Sequence, residues 1–174
     1  VEHVVRCGIS FDLASSIADR AMMHAVNAYF VPDMRVTASL CKTHTPSNTA
    51  FRGFGGPQGI MGMERIIDDV AATLGLDPLV IRQRNFYPDK GTSESGKPTP
   101  YGQPVTDCVI GQLVDRLSRD AHYQTRRLEI IKWNKDNPVL RRGIALTPVK
   151  FGISFNKTML NQAGALVHIY TDGT

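Results

Sequence analysis

The chain has 174 residues, a hydrophobic fraction of 42% and a formal net charge of +4. This length and apolar content suit one globular domain with a core of ordinary size. The charge is modest and spread along the chain, so nucleic acid is not an expected partner. No apolar run approaches the length that spans a bilayer, which makes a membrane equally unexpected.

Three cysteines, Cys7, Cys41 and Cys108, lie far apart and without C-x-x-C spacing. This pattern argues against a zinc or iron–sulfur site within the chain and indicates a reducing compartment. We therefore expect a cytoplasmic protein.

The N-terminal quarter predicts a strand, a helix and a second strand. Residues 1–10 read as an extended segment, and Ser15 or Ser16 is a suitable N-cap for a helix that ends near Tyr29. Residues 34–43 alternate between polar and apolar side chains, which is typical of a half-buried strand.

Two polar residues on the first predicted helix have ordinary structural interpretations. From its place in the sequence alone, Arg20 is interpreted as a solvated arginine that pairs with Asp12 or Asp19. Because His24 lies on a largely apolar helix, we interpret it as a histidine packed in the interior rather than as a metal ligand.

The stretch at residues 51–59 holds four glycines, two phenylalanines, Arg52 and Pro57. Pro57 suits a first helical turn, and apolar residues follow at the spacing of an amphipathic helix. They are Ile60, Met63, Ile67, Val70, Ala71 and Leu74. The loop would direct backbone N–H groups towards an anionic ligand. The alternative is a simple turn that buries Phe51 and Phe54. The glycines follow neither the dinucleotide fingerprint nor the Walker A pattern.

The middle of the chain predicts three more helices. Gly75 is a plausible C′ residue for the helix after the loop, and Asp77-Pro78 would cap and start a short one. Arg82 and Arg84 are expected on its exposed face. Thr106 or Asp107 would cap a helix that carries Val109, Leu113 and Leu117, and a charged helix ends near Asn134.

The last part of the chain predicts β structure. Residues 143–155 read as extended and residues 163–171 as a strand, followed by the hairpin signal Asp172-Gly173. A helical middle flanked by strands predicts an α+β fold that is not self-contained.

Several motifs together carry a resemblance to a known family. Residues 49–58, TAFRGFGGPQ, resemble the signature of the molybdenum-binding subunit of the xanthine dehydrogenase family of molybdenum hydroxylases. Arg6-Cys7-Gly8 and Asp19-Arg20-Ala21-Met22 resemble the stretch before that signature, and residues 150–155 and 160–168 resemble its continuation. The resemblance covers the whole chain in order. It implies that residues 1–137 are part of a molybdopterin-binding domain, that residues 138–174 begin its β-rich continuation, and that the chain is an internal fragment.

The resemblance also implies roles for single residues. Phe51, Arg52 and Gly53 would bind the molybdopterin cofactor, with the main chain of Arg52 near the metal. Phe54 would stack on a purine and Phe155 would meet its edge. Arg20 would orient the purine and stabilise charge that develops on it. Asn156 would also bind substrate, and it stands where many relatives have threonine. The catalytic base, a glutamate, would lie outside this chain.

The activity implied is hydroxylation of hypoxanthine and xanthine to urate. Electrons would pass through 2Fe-2S clusters and FAD to NAD, in other domains or in a partner subunit of a hetero-oligomer. The alternatives are an aldehyde-oxidising relative and a non-catalytic fragment that keeps only the fold. We expect the isolated chain to be inactive with xanthine.

Overall fold

The computed structural model describes residues 1–174. Its regular elements, in chain order, are β1 Glu2–Gly8, α1 Ala14–Met23, β2 Thr37–Lys42, α2 Gly56–Leu74, α3 Pro78–Arg84, α4 Ile110–Asp120, α5 Tyr123–Asp136 and one 3-10 turn at Thr158–Leu160. The mixture of helix and strand confirms the predicted α+β class.

The two strands pair in parallel, and α1 is the crossover between them. Parallel strands need such a crossover because the chain must return from the end of the first strand to the opposite end of the sheet, where the second strand begins. The predicted alternation is confirmed at Val36 and Ala38, which are half-buried between exposed neighbours, and it is wrong at Leu40, which is exposed while Cys41 is half-buried. The sheet has only two strands, so most of its surface lies outside the core.

The limits of α1 differ from the prediction. It begins at Ala14 with no side-chain cap, Ser16 is buried inside it, and it ends at Met23 rather than near Tyr29. The backbone then turns, and Asn27 adopts the left-handed conformation with φ of 46°. Asparagine tolerates this region better than most residues, so Asn27 suits the turn that follows α1.

The glycine loop leads into α2 as predicted, with Pro57 in the first turn and Gly75 in the left-handed conformation at the C-cap. Two of its glycines allow α2 to lie directly on α1. A Cβ atom on Gly55 would stand 2.0 Å from the carbonyl oxygen of Ile17, and one on Gly59 would stand 2.1 Å from that of Ala21.

A pair of glycine substitutions on α2 tests this close approach. We expect Gly59→Ala to destabilise the protein by about 1–3 kcal/mol, because the methyl group meets backbone that must move. Gly62→Ala is the matched control: its Cβ has open space, and alanine favours a helix over glycine by up to about 1 kcal/mol. Thermal unfolding of the two variants should therefore shift in opposite directions, and equal shifts would contradict the packing argument.

The core consists of two apolar clusters. The first contains Tyr29, Met63, Ile67, Ala71 and Ile81, and the second contains Leu79, Val114, Tyr123 and Leu146. The periodicity of α2 thus identified its buried face correctly at Met63, Ile67 and Ala71. Val70 and Leu74, at the edge of that face, are exposed.

The predicted exposure of Arg82 is wrong. Its side chain is 2% exposed and forms ion pairs of 2.7 Å with Glu64 and 2.8 Å with Asp68, which places it between α2 and α3. Arg84 is exposed, as predicted. Residues two apart on a helix point in different directions, so one arginine faces α2 while the other faces solvent.

The caps of the next helices are partly as predicted. The Asp77 carboxylate accepts a hydrogen bond from the Leu79 N–H and caps α3. α4 is capped instead by Asp89, which accepts from the N–H groups of Gly111 and Gln112, so the expectation for Thr106 or Asp107 is wrong. Leu113 and Leu117 of this helix are exposed, and its buried residue is Val114.

The predicted strand at residues 163–171 is absent, and residues 143–155 form no strand either. A strand requires a partner for its backbone N–H and C=O groups, and no other strand of this chain lies beside these residues. Leu166, Val167 and Ile169 are accordingly exposed. None of the helices combines the length and the apolar character needed to cross a membrane.

Candidate functional site

The site is built around an extended segment, residues 148–152, that is held by side chains rather than by a neighbouring strand. Arg20 and His24 lie four residues apart on α1 and at its C-cap, and therefore share one face. Asn27 follows in the turn. Together these three side chains bond the backbone of Pro148, Lys150 and Gly152.

Gly152 is bonded at both of its backbone polar groups. Its N–H donates to His24 Nε2 at 3.0 Å, and its carbonyl oxygen accepts from Arg20 Nη1 at 2.6 Å. Further along, Asn27 Oδ1 accepts from the Lys150 N–H at 3.1 Å, and Asn27 Nδ2 donates to the Pro148 carbonyl oxygen at 2.8 Å. The backbone of Pro148, Lys150 and Gly152 is thus hydrogen-bonded without a β-ladder.

We call residues 148–152 the docked segment. A cavity of about 430 Å³, open to the surface, lies between α1, the glycine loop and residues 151–155 at and beyond the end of the docked segment. Its lining residues are Arg20, Gly53, Phe54, Phe151, Ile153, Ser154 and Phe155. The rings of Phe54 and Phe155 are 5.2 Å apart between centroids and inclined at 52°. The structure therefore brings together four of the residues predicted from the sequence, Arg20, Gly53, Phe54 and Phe155, from three separate parts of the chain.

Arg20 is a buried cation without an acidic partner. It is 7% exposed, its Nε has no hydrogen-bond partner, and no carboxylate forms an ion pair with it. Asp19, one of the two partners expected from the sequence, pairs with Lys157 at 2.6 Å instead. Since an uncompensated buried charge is costly, the guanidinium favours any ligand that brings an acceptor or a negative charge into the cavity.

The aromatic rings around Arg20 supply weaker compensation. Its guanidinium carbon lies 5.9 Å from the centroid of Phe54 and 5.5 Å from that of Phe151. These distances are within the range of cation–π attraction. The site can thus receive a flat, polarisable ligand with hydrogen-bond acceptors on its edge.

Phe54 has a strained backbone. Its φ of 54° lies in the left-handed region, between Gly53 at 93° and Gly55 at 98°. The Phe54 N–H donates to the Phe51 carbonyl oxygen at 2.8 Å, which closes the turn. For a bulky residue this conformation costs about 1–2 kcal/mol, and such strain is concentrated at ligand-binding sites.

His24 is packed, as predicted, but its contacts also restrict its protonation. Nδ1 lies 2.9 Å from the Arg20 carbonyl oxygen, which can only accept, so Nδ1 carries the proton and Nε2 accepts from Gly152. Burial lowers the pKa of His24, and the charges of Lys150 and Arg20 lower it further against the opposing hydrogen bond to the Arg20 carbonyl. The ring also lies 4.7 Å from that of Phe151.

The other residues predicted for the site lie outside the cavity. Asn156 Nδ2 donates to the Ser16 carbonyl oxygen at 2.8 Å, and its Oδ1 is buried without a partner. Phe51 is 84% exposed, which contradicts its burial in a core, and Arg52 is exposed beside it. Of the three residues predicted to bind the cofactor, only Gly53 lines the cavity.

Sequence reasoning missed the site roles of Phe151 and His24. Residues 151, 153 and 155 are two apart, and an extended chain places such residues on one side. This spacing could have predicted that Phe151 lies on the same side as Phe155. The role of His24 had no comparable signal, because its partner is a backbone amide 128 residues away.

The loop at Phe51–Gly53 fits a bound cofactor. Its first two residues project from the surface, its backbone is free of regular structure, and the buried Arg20 Nε and Asn156 Oδ1 remain without partners nearby. Buried polar atoms without hydrogen-bond partners, and exposed backbone beside them, are suited to contacts with a large polar ligand.

Comparison with known proteins identifies the fold. Residues 1–86 match one model described as a molybdopterin cofactor-binding domain, and residues 116–174 match a second model of the same description. The xanthine dehydrogenase of Dictyostelium discoideum is 42% identical over 174 residues, which is 100% of this chain and 12% of that protein. The xanthine dehydrogenase/oxidase of Mus musculus is 43% identical, again over 100% of this chain and 13% of the relative.

Solved structures show the same fold over a similar fraction. An aldehyde oxidoreductase from Desulfovibrio gigas superposes with a TM-score of 0.59 at 27% identity, covering 75% of this chain and 14% of that one. CO dehydrogenase from Oligotropha carboxidovorans gives a TM-score of 0.62 at 18% identity, covering 77% of this chain and 17% of that one. The chain thus spans a small part of each relative. By the two matched family models, the chain belongs to the molybdopterin cofactor-binding domains.

Proposed function

We propose that this chain forms part of the substrate pocket of a xanthine dehydrogenase that hydroxylates hypoxanthine and xanthine to urate. The observation that carries the proposal is Arg20, a buried guanidinium without an acidic partner on the wall of an aromatic cavity. A purine brings ring nitrogens and carbonyl oxygens that can accept from this cation. The same cation stabilises negative charge that develops on the ring as it is attacked.

The walls of the cavity suit a flat heteroaromatic substrate. Phe54 and Phe155 are inclined at 52°, so one ring can stack on a purine while the other meets its edge. Such contacts contribute about 0.5–1.5 kcal/mol each beyond the burial of area. The strained turn at Phe54 fixes the ring in advance, which reduces the entropy lost on binding.

The molybdopterin cofactor would be held through the backbone of Phe51, Arg52 and Gly53, with Arg52 near the metal. When bound, the cofactor supplies the hydroxylation of an electrophilic ring carbon. The residues of this chain bind the purine, orient it and polarise it. We further propose that electrons leave through 2Fe-2S clusters and FAD to NAD, in other domains or in a partner subunit of a hetero-oligomer. Three free cysteines fit a cytoplasmic enzyme of purine catabolism.

The second candidate is an aldehyde-oxidising activity, which the 27% identical neighbour named as an aldehyde oxidoreductase favours. A small aldehyde offers one carbonyl oxygen and no extended aromatic face. The paired phenylalanines and the buried cation are therefore better used by a purine. Steady-state assays of the full-length enzyme with xanthine and with a small aldehyde separate the two, because efficient oxidation of the aldehyde alone would contradict the proposal.

Replacing Phe54 tests the role of the aromatic wall. In the full-length enzyme we expect Phe54→Ala to raise KM for xanthine by about two- to twelvefold, because the loss of a stacking partner costs roughly 0.5–1.5 kcal/mol. Molybdenum content should stay near that of the wild type, since the backbone of the loop is unchanged. Phe11→Ala, at an exposed phenylalanine outside the cavity, is the control. An insoluble Phe54→Ala protein would indicate that the ring belongs to the core instead.

A further inference from the structure

We propose that His24 is a positioning residue whose neutral imidazole locks Gly152, and through it holds Arg20 and the wall at residues 151–155 in the geometry that receives substrate. The kinetic consequence rests on the proposed purine activity, whereas the structural consequence does not. The contact at the centre of this arrangement is the hydrogen bond that the Gly152 N–H donates to His24 Nε2 at 3.0 Å.

The lock has two connected parts. His24 holds the N–H of Gly152, and Arg20 holds its carbonyl oxygen at 2.6 Å. The other nitrogen of His24 is bonded to the backbone of Arg20 at 2.9 Å. The imidazole therefore joins the residue that carries the cation to the residue next to Phe151, and it contacts the Phe151 ring at 4.7 Å between centroids.

Protonation of His24 would open this lock. A proton on Nε2 replaces the acceptor with a donor that faces the Gly152 N–H, so the hydrogen bond is lost. The charged groups that face the ring are Arg20 on its own helix and Lys150 on the docked segment, and both are cations. On α2, the Glu64 carboxylate is bonded to Asn27 at 2.8 Å rather than to the ring.

The direction of the pH effect follows from these surroundings. Burial and the neighbouring cations lower the pKa of His24 below the ordinary value of 6.5, so the imidazole is neutral at neutral pH. Between the folded and the unfolded pKa the unfolded chain binds more protons, so stability falls as the pH drops below about 6.5. The hydrogen bond from Gly152 is present at neutral pH and is lost as the pH falls through the folded-state pKa of His24, which lies below 6.5.

Two substitutions separate the acceptor from the packing. In His24→Gln, the Oε1 atom can reach the position of Nε2 and accept from Gly152, but it does not titrate. His24→Leu keeps much of the volume and removes the acceptor. Hydrogen exchange measured on the full-length protein reports the protection of the Gly152 amide directly and needs no substrate.

We expect His24→Leu to reduce protection of the Gly152 amide by about five- to tenfold, the loss of one hydrogen bond, and to raise KM for xanthine by a similar factor. His24→Gln should stay within about threefold of the wild type at pH 7.5 in both measurements, since an acceptor remains. As the pH falls from 6.5 through the folded-state pKa of His24, the wild type should lose protection beyond the intrinsic change in exchange rate and its KM should rise. His24→Gln should show neither effect.

Unchanged protection of Gly152 in His24→Leu, or identical pH profiles of the wild type and His24→Gln, would overturn the inference. If His24→Leu does not fold, the comparison of the wild type with His24→Gln across pH decides the question. A wild-type enzyme that does not oxidise xanthine would contradict the proposed function instead, while the exchange measurements would still decide on the lock.

Discussion

Replacing Arg20 with methionine in the full-length enzyme is expected to lower kcat for xanthine by about two to three decades. The residue is a preorganised cation in a cavity from which other charges are absent. Loss of one such charge-stabilising donor costs roughly 2.7–4 kcal/mol of transition-state stabilisation. Because the charge on the ring develops during the reaction, turnover should fall more than KM rises.

Oxidation of a small aldehyde should survive in Arg20→Met, since that substrate makes little use of the cation. Steady-state kinetics with both substrates, together with molybdenum analysis, measure the difference. Arg20→Lys is the matched variant: it keeps the charge but loses the planar fork that donates to Gly152. Partial recovery with lysine would assign the effect to charge. Equal loss of both activities with molybdenum retained would show that Arg20 does not act on the purine.

The parts of the fold that depend on local signals were accessible from the sequence. Pro57 and Gly75 delimit α2 because each has a backbone preference that acts within one turn. Asp77 caps α3 for the same reason, through an amide two residues away. These residues need no knowledge of what surrounds the helix.

The parts that depend on distant partners were not accessible in the same way. Asp89 caps α4 from 22 residues away, and His24 bonds an amide 128 residues away. Residues 148–152 lie in a stretch that reads as extended in the sequence, yet their backbone bonds to side chains of α1 and the turn after it. No periodicity encodes such a choice. The predictions for Arg20, Phe54 and Phe155 came from resemblance, and the structure adds only that the three line one cavity.

The burial of Arg82 predicts a large effect on stability. Its guanidinium bonds Glu64 at 2.7 Å and Asp68 at 2.8 Å, and Glu64 also accepts from Asn27 and from the Tyr29 hydroxyl. Burial alone would lower the pKa of Arg82, but the hydrogen bonds and charges of the two carboxylates raise it, so the side chain is charged. Arg82→Met would leave the Glu64 carboxylate largely buried without its cation.

We expect Arg82→Met to destabilise the junction of α2 and α3 by about 3–5 kcal/mol, the usual cost of removing one partner from a buried ion pair. Hydrogen exchange of the amides in α2 and α3 measures this local free energy of opening. Arg65→Met is the matched control on α2. This variant removes an ion pair between Arg65 and Asp69, whose side chains are 77% and 59% exposed, respectively. It should lower the free energy of unfolding by less than about 0.5 kcal/mol.

The same network connects the junction to the substrate cavity. Asn27 bonds Glu64 with the amide group that also holds Pro148, and its oxygen holds the Lys150 N–H. If Glu64 is displaced and the Asn27 side chain follows it, the Lys150 N–H loses its acceptor. Arg82→Met should therefore also increase hydrogen exchange at the Lys150 amide.

Adding Glu64→Gln to Arg82→Met removes the uncompensated charge while retaining an acceptor for Tyr29 and Asn27. This double variant should restore part of the lost protection at the α2–α3 junction and at Lys150. If the double variant is no more protected than Arg82→Met, the buried charge of Glu64 is not the cause of the instability.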